Sequence, residues 1–326
     1  MVNQGPVTHP TICASGNNAR SPHVAILMAL FNGAANLEDQ LVSFLDQTHR
    51  NWSLVVSDDG STDDGPSMVR RFGGRSSQSV TLVAGPRQGF AQNFLNLLRA
   101  AGPSVPFAAL SDQDDVWLPC KLKRALKLLA DLPEGVPALY AGRTIICDED
   151  LRPLRRSPCF RLPPGFRNAL VQNISGGNTM VLNRAALDLV QETADHAVHI
   201  ASHDWWIYQI VSGAGGQVIY DPEPSLLYRQ HAGNVIGAND TQMARFLRLS
   251  QVVRGRYRSW NAANIAALDA ASQWLTPGSR ATLQAFIAAR NGSLASRVRA
   301  FRASGVYRQT RCGNAALKAA ALLNRI

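Results

Sequence analysis

The sequence is poor in cysteine and in charged side chains, and it contains no long apolar run. Its five cysteines are scattered and form neither a CxxC pair nor a metal-binding spacing. We therefore expect a protein of a reducing compartment in which each cysteine is a small buried hydrophobic residue. No stretch approaches the ~20 consecutive apolar residues that a membrane-spanning helix needs. Charged residues make up 17% of the 326 residues and apolar residues 46%, which excludes a disordered chain and is enough for a sizeable core.

Common phosphate- and metal-binding loops are missing as well. The sequence has no G-x-x-x-x-G-K-[ST] motif, and no G-x-G-x-x-G follows the first predicted strand, which disfavours P-loop and dinucleotide-binding folds. The acidic stretch DDGSTDDG (58–65) lacks the glutamate that closes an EF-hand calcium loop. A nucleotide or metal site in this chain must therefore use other residues.

The charge that is present is distributed unevenly. The whole chain carries +10. Counted along the sequence, the first 240 residues carry −3, whereas residues 241–326 contain 14 lysines and arginines and one acid, Asp269, for a net +13. This asymmetry indicates two parts with different roles.

The front part alternates between two hydrophobic patterns. Four near-continuous apolar runs, HVAILMALF, WSLVVSDDGS, SVTLVAG and VPFAALSDQDD, predict strands. Segments with apolar residues at helical spacing follow three of them, as in NLEDQLVSFL, where we expect Asn36 to be the N-cap. This order predicts an α/β fold, a mostly parallel sheet flanked by helices. In such sheets ligands bind beyond the carboxyl ends of the strands.

Acidic clusters follow two of these strands, SDDGS at 57–61 and SDQDD at 111–115. A D-x-D sequence at a strand end suits Mg²⁺ or Mn²⁺, which takes one or two carboxylates together with water and phosphate oxygens. The cation would also cancel the repulsion between neighbouring acids. The alternative is that Asp114 or Asp115 caps the next helix while Asp112 is solvated.

Six segments in order carry a resemblance to a known family. They are VAILMALFNGAANLEDQLVSFLDQTHRNWSLVVSDDGSTD, GPRQGFAQNF, ALSDQDDVWLPCKL, SGGNTMVLNR, SHDWWIYQIV and YRQHAGNVIG. Together they resemble family 2 glycosyltransferases, inverting enzymes with the GT-A fold, and within them the rhamnosyltransferase-type branch that builds bacterial surface polysaccharides. The resemblance implies a GT-A domain over residues 23–240, a flexible tail over 1–22 and a basic helical region over 241–326.

The resemblance also implies a nucleotide site. Asp58 or Asp59 would accept a hydrogen bond from N3–H of a pyrimidine, and Asp59 is the favoured one of the two. Asn93 would lie near the ribose or phosphates, unless it belongs to the polar face of an amphipathic helix. The remaining nucleotide-binding residues that the resemblance implies are Ala29, Phe31, Asn32, Arg87, Asp112 and Arg229.

The implied metal ligands are Asp112, Asp114 and His231, and an imidazole ligand suits Mn²⁺ better than Mg²⁺. Asp204 matches the family's catalytic base, which takes the proton of the acceptor hydroxyl as that hydroxyl attacks the anomeric carbon. The alternative role of Asp204 is to cap its own helix. Many relatives carry Glu-Asp at this point, so His203 before Asp204 is a departure whose role stays open.

On the acceptor side, Gly177 and Asn178 belong to an expected loop, or to an ordinary turn. Trp205 and Trp206 form either an apolar wall for a sugar or part of the core. The basic tail is expected to dock on an anionic membrane through an amphipathic face, although a helical cap on the domain is the alternative. That face comprises Met243, Phe246, Leu247, Ser250 and Val253.

The function that the resemblance implies is metal-dependent transfer of rhamnose from dTDP-L-rhamnose to a saccharide acceptor in surface polysaccharide synthesis, and we expect this acceptor to be lipid-linked. The expected location is cytoplasmic, peripheral on the inner face of the cell membrane. A UDP-hexose transferase of the same fold is one alternative. A non-enzymatic protein that binds nucleic acid through the basic tail is another, but it needs no acids at the sheet edge, so we expect no nucleic-acid partner. A third alternative is an inactive relative that acts as an assembly partner. Such a protein would lack the D-x-D motif or the catalytic base, and this sequence contains both.

Overall fold

The computed structural model describes residues 21–133, 135–231 and 256–326. The tail predicted over 1–22 and the amphipathic face predicted over 243–253 therefore lie almost wholly outside the described residues. Within the described ranges, no helix is both long and apolar enough to cross a membrane. Cys147 is buried, whereas Cys159 and Cys312 are exposed, so the prediction of a buried hydrophobic residue is wrong for these two.

One mixed sheet of nine strands forms the centre of the fold, and its strand order is β3-β2-β1-β4-β8-β6-β9-β5, with β7 paired to β6. The strands are β1 (Val24–Leu30), β2 (Trp52–Asp58), β3 (Val80–Ala84), β4 (Phe107–Ser111), β5 (Val116–Trp117), β6 (Ala138–Cys147), β7 (Pro153–Arg156), β8 (Val181–Asn183) and β9 (Gln217–Arg229). The first four are mutually parallel, as the sequence predicts. Strand β8 is antiparallel to β4 and β6, and β9 is parallel to β6.

Helices cover both faces of this sheet. They are α1 (Ala34–Leu45), α2 (Gly65–Arg75), α3 (Phe90–Ala100), α4 (Lys121–Ala130), α5 (Phe166–Ala169), α6 (Arg184–Thr193) and α7 (His203–Gly213), then α8 (Arg256–Ala270), α9 (Pro277–Ala288), α10 (Leu294–Ser304) and α11 (Arg311–Leu322). Helix α1 begins two residues before the predicted N-cap Asn36. The reason is Asp63, whose carboxylate accepts the backbone N–H of Ala34 at 2.8 Å and so satisfies the helix start from another loop.

Strand β1 shows why the sheet needs helices on both sides. Its successive side chains point to opposite faces. Ile26 and Met28 join a buried cluster with α1 and α4, whereas Leu27 joins a second cluster with α3, α6 and α7. The second cluster also takes in Leu268 of α8 and Phe286 of α9, so these C-terminal helices pack against the sheet domain.

The parallel register brings three strand ends to one edge. Leu30 of β1 lies opposite Asp58 of β2, and Met28 lies opposite Ser111 of β4. The two acidic clusters follow β2 and β4 directly. They therefore meet at the carboxyl edge of the sheet, where parallel sheets bind their ligands.

Candidate active site

A cavity of about 920 Å³ opens at the carboxyl ends of β1 and β4. It gathers most of the residues that the sequence singled out, over a span of more than 200 positions. The predicted residues on its wall are Ala29, Phe31, Asn32, Asp59, Arg87, Asn93, Asp112, Asp114, Gly177, Asn178, Asp204 and His231. Four predicted residues do not line it: Asp58, Trp205, Trp206 and Arg229.

The loop after β1 is tied to the D-x-D segment by a residue that sequence reasoning missed. The amide of Gln113 accepts the backbone N–H of Phe31 at 2.7 Å and donates to the Phe31 carbonyl at 3.0 Å. A Cβ at Gly33 would lie 2.4 Å from Cδ of Gln113, so a larger residue at position 33 would require the Gln113 side chain to move. Phe31 is 56% exposed at the cavity rim, which leaves its ring available to a ligand. The only signal in the sequence was the position of Gln113 between the two acids.

The two aspartates after β2 have different surroundings. Asp59 accepts the backbone N–H groups of Arg87 and Gly89 at 2.6 and 2.8 Å, and so shapes the loop before α3 along the cavity. Asp58 accepts the N–H of Ser61 at 2.9 Å, away from the cavity wall. Of the two, Asp59 is the one that a ligand in the cavity can reach.

Asn93 is on the cavity wall but is held from behind. Its side chain accepts the hydroxyl of Ser57 at 2.6 Å and donates to the Ser57 carbonyl at 2.9 Å. The residue is 1% exposed. The alternative of a solvated polar helix face is therefore wrong, because Asn93 joins α3 to β2 inside the protein.

Three carboxylates converge where β4 ends. Oxygen atoms of Asp112, Asp114 and Asp115 all lie within 4.8 Å of one another. Nε2 of His231 lies 2.7 Å from Oδ2 of Asp114. The N-cap position of α4 is Cys120, so the capping alternative for Asp114 and Asp115 is wrong.

The close, partly buried carboxylates of this cluster favour the binding of a cation. The pKa of Asp112 is raised to about 7, first by its burial and then by the charges of Asp114 and Asp204. Burial likewise raises the pKa of Asp115 well above its usual value. Asp115 is fully buried, and among the described residues its Oδ1 has no hydrogen-bond partner. Hard carboxylate oxygens and one imidazole fit Mg²⁺ or Mn²⁺.

One cation of the protein itself lies below the cluster. Lys121 is buried, its ammonium donates to the carbonyl of Asn178, and it lies 3.4 Å from the centre of the Trp117 ring. Burial lowers the pKa of Lys121 well below its usual value, against the opposing charges of Asp115 and Asp112. The Asn178 side chain in turn donates to Asp115 at 2.6 Å. These contacts fix the Gly177–Asn178 segment beside the carboxylates.

Asp204 faces the cluster from the first turn of α7. Its Oδ1 accepts the N–H of Trp205 at 2.7 Å and the hydroxyl of Ser202. The N-cap position itself belongs to Ser202, so Asp204 is not the cap residue. The charge of Asp204 contributes to the raised pKa of Asp112, so the two carboxylates repel each other across the cavity. A carboxylate on the cavity wall, close to a metal-type cluster, can accept a proton from a bound hydroxyl.

His203, next to Asp204, is inside the protein. Its ring stacks on Phe94 with centroids 3.9 Å apart, and it is 4% exposed. Burial lowers its pKa to about 4, so the imidazole is neutral at physiological pH. A Cβ at Gly177 would lie 2.5 Å from Nε2 of His203, which makes a glycine necessary opposite the ring.

Three predicted contacts are not supported by the positions of their side chains. Trp206 is fully buried in the core, and Trp205 is 6% exposed and donates to the Ala169 carbonyl at 2.6 Å, so the indoles form no sugar wall. Arg229 is 5% exposed and is committed to an ion pair with Asp39 at 2.6 Å. It also donates to the carbonyl of Asp114 at 3.1 Å, and so supports the metal-type cluster from behind rather than a phosphate.

Comparisons with known proteins agree with this architecture. The model of the family "Glycosyl transferase family 2" matches residues 25–188. The dTDP-rhamnosyl transferase RfbG of Shigella flexneri is 27% identical over 244 residues, which cover 71% of this chain and 81% of RfbG. The glucosyltransferase WfgD of Escherichia coli, named for UDP-Glc and α-D-GlcNAc-diphosphoundecaprenol, is 29% identical over 123 residues, 38% of this chain and 46% of WfgD.

A solved structure shares the fold. The crystal structure of S. aureus TarS 1–349 superposes with a TM-score of 0.53 at 14% identity, and the match covers 80% of this chain and 69% of that one. The predicted GT-A architecture is thereby confirmed. Because the family model spans half of the sequence, including both acidic strand ends, the chain belongs to the family 2 glycosyltransferases.

Proposed function

We propose that this enzyme transfers rhamnose from dTDP-L-rhamnose, with inversion, to a saccharide acceptor in polysaccharide synthesis. The observation that carries the proposal is that Asp204 lines the same cavity as Asp112 and Asp114, which form a carboxylate cluster with the buried Asp115 at the carboxyl edge of the sheet. One carboxylate able to take a proton and a cluster able to hold a cation beside a diphosphate are what such a transfer requires. Residues 23–240 are the catalytic domain in this proposal.

Different residues of the protein have different roles in this transfer. Asp204 accepts the proton of the acceptor hydroxyl while that oxygen forms its bond to the anomeric carbon and the bond from that carbon to the diphosphate breaks. Asp112, Asp114 and His231 would hold Mg²⁺ or Mn²⁺, with Asp115 supporting them from the interior. A cation held there would supply Lewis-acid stabilisation of the leaving nucleotide diphosphate. Asp59 accepts a hydrogen bond from the nucleobase of the donor, and Phe31, Asn32 and Ala29 line the nucleobase pocket.

The donor assignment is supported by the name of RfbG, a dTDP-rhamnosyl transferase that shares most of its length with this chain. A UDP-hexose donor is the second candidate, since WfgD is named for UDP-Glc and a TarS structure contains UDP-GlcNAc. The name of WfgD also supports a lipid-linked acceptor. In that case the enzyme works at an anionic membrane surface, and the basic region 241–326 attaches it there.

Nucleotide release from a panel of donors tests the proposal. We expect release of dTDP from dTDP-L-rhamnose in the presence of Mn²⁺ or Mg²⁺, and less from UDP-glucose. EDTA should abolish release, and Asp114→Ala should lower its rate at least 100-fold, since it removes one of the proposed metal ligands, the carboxylate that lies 2.7 Å from Nε2 of His231. An exposed matched control, Asp195→Ala, removes a carboxylate 93% exposed at its side chain and far along the chain from the cluster. Turnover that persists in Asp114→Ala with EDTA present would disprove the metal-dependent mechanism.

A further inference from the structure

The cavity has a second side that the proposed donor and metal contacts do not use. Strands β6, β7 and β9 and the segment after β7 build it. Its side chains include Thr144, Ile146, Arg155, Phe160 and Tyr220. We refer to Phe160 and Tyr220 as the aromatic wall.

The sheet order puts the reacting groups between the two sides. The proposed nucleotide residues follow β1 and β2, the carboxylate cluster follows β4, and Tyr220 belongs to β9 beyond it. A ligand on the aromatic wall therefore approaches the cluster and Asp204 from the side opposite to the nucleotide. An inverting transfer needs this arrangement, because the acceptor attacks on the face away from the leaving group.

The aromatic wall is held in place without a ligand. The ring centroids of Phe160 and Tyr220 are 5.3 Å apart, with the planes tilted by 51°. The phenol of Tyr220 donates to the Pro158 carbonyl at 2.8 Å, and Nε of Arg143 donates to the Ser157 carbonyl at 2.9 Å. Burial raises the pKa of Tyr220 to about 12, so the phenol keeps its proton and this bond. Rings held in this way lose little freedom when a ligand binds.

The chemistry of this side differs from that of a nucleotide site. Phe160 and Tyr220 are both half-buried, so their rings combine apolar area with access from the cavity. Sugars present C–H faces that pack on such rings. Arg155 adds a guanidinium to the same side, and its planar fork suits phosphate oxygens.

We propose that the aromatic wall and Arg155 form the acceptor subsite, and that they bind a saccharide whose reducing end carries a diphosphate. The sugar packs on Phe160 and Tyr220, and the diphosphate lies on the guanidinium of Arg155. This inference rests on the proposed function and names the acceptor class of the same cavity. It also replaces the buried Trp205 and Trp206 as the sugar-facing aromatic residues.

Saturation-transfer NMR with two probes tests the subsite without any turnover. The probes are GlcNAc α-linked through diphosphate to a decyl chain, and the methyl α-glycoside of GlcNAc. We expect the diphosphate probe to bind the wild-type protein, with saturation strongest at the C–H protons of the sugar. Phe160→Leu and Tyr220→Leu should each weaken this probe at least tenfold. Arg155→Gln should weaken it to a similar degree while changing the methyl glycoside less than twofold.

Two controls separate the possible failures. Phe72→Leu, a partly buried aromatic residue of α2 on the other side of the sheet, should bind both probes as the wild type does. The affinity for dTDP should stay within twofold in the wall variants, which shows that the nucleotide side is intact. Wild-type protein that ignores the diphosphate probe at millimolar concentration, or wall variants that bind it normally, would overturn the inference. A failure of nucleotide release with intact probe binding would instead count against the proposed function alone.

Discussion

At the scale of single residues, Asp204 is the side chain on which the proposed chemistry depends most directly. Asp204→Asn keeps the size of the side chain and an oxygen that can still accept the N–H of Trp205, but it cannot take a proton. We expect the rate of sugar transfer to fall by about 10²–10⁴-fold, with the dissociation constant of the nucleotide nearly unchanged. Steady-state transfer and titration with dTDP measure the two quantities.

A surface carboxylate provides the matched control for this variant. Asp195→Asn makes the same chemical change at an exposed side chain paired with Arg99, and it should keep the wild-type rate. A collapse of nucleotide affinity in Asp204→Asn, with transfer falling only in proportion, would move Asp204 from the base role to the nucleotide site.

His203 gives the fold a definite pH dependence. Its pKa is about 4 in the folded protein and about 6.5 when exposed, so the unfolded chain binds the extra proton between these values. The contribution of this ring to stability is therefore fully present above about pH 6.5 and is lost as the pH falls towards 4. At pH 5 the loss due to this ring is about 2 kcal/mol.

The variant His203→Gln removes the titrating group. Urea unfolding at pH 7.5 and pH 5 should show a smaller loss of stability on acidification in His203→Gln than in the wild type. An equal loss in both proteins would mean that the folded state accepts the proton at the same pH as the unfolded chain.

At the scale of elements, the start of α4 connects the carboxylate cluster to the Gly177–Asn178 segment. Lys121→Met would leave Asp115 buried without its neighbouring cation and the Asn178 carbonyl without its donor. Loss of one partner of a buried pair costs about 3 kcal/mol or more. We expect urea denaturation to report a destabilisation of this size. Lys127→Met, an exposed lysine of the same helix, should change stability by less than about 0.5 kcal/mol.

A double variant shows whether charge is the cause. In Lys121→Met with Asp115→Asn, neither charge is left uncompensated, so the double variant should be more stable than the sum of the two single losses predicts. Simple additivity would show that Lys121 acts through packing on Trp117 instead.

The elements that the sequence predicted well are those fixed by local pattern. Parallel strands with apolar runs had to align their carboxyl ends, so the meeting of the acids after β2 and β4 followed from spacing and topology alone. Contacts between distant segments could not be read in this way. Arg229 binds Asp39 across 190 positions, and Gln113 binds Phe31 across 82. The burial of both Trp205 and Trp206 depends on the packing of α7 between other elements, which period alone does not reveal.

At the scale of the whole molecule, the uneven charge predicts attachment to an anionic surface. Leu322 and Leu323 are 55% and 72% exposed at the end of α11, and Arg297 of α10 donates to the Leu322 carbonyl at 3.1 Å, which joins the two helices there. Each basic side chain near an anionic surface contributes about 1 kcal/mol. Flotation with anionic vesicles should therefore recover the full-length protein at low salt and less of it at high salt.

Charge reversal on α10 localises the attachment. Arg299→Glu with Arg302→Glu should lower the vesicle-bound fraction at least tenfold, whereas Arg70→Glu with Arg75→Glu on α2 makes the same change of net charge elsewhere and should have a smaller effect. Equal losses from both pairs would mean that net charge alone is sensed. Binding that ignores all four changes would contradict electrostatic docking.

The hydrogen bonds between Gln113 and the loop after β1 have a consequence for sequence evolution. A side chain at position 33 would collide with Gln113, whose Cδ lies 2.4 Å from where that Cβ would be. A substitution of Gly33 would therefore displace the Gln113 side chain or favour a shorter residue at position 113, and either change would release the backbone of Phe31. Positions 33 and 113, which are 80 residues apart, are thus expected to covary among related sequences. The residue between the two aspartates of the D-x-D motif depends on the residue that the loop after β1 carries at position 33.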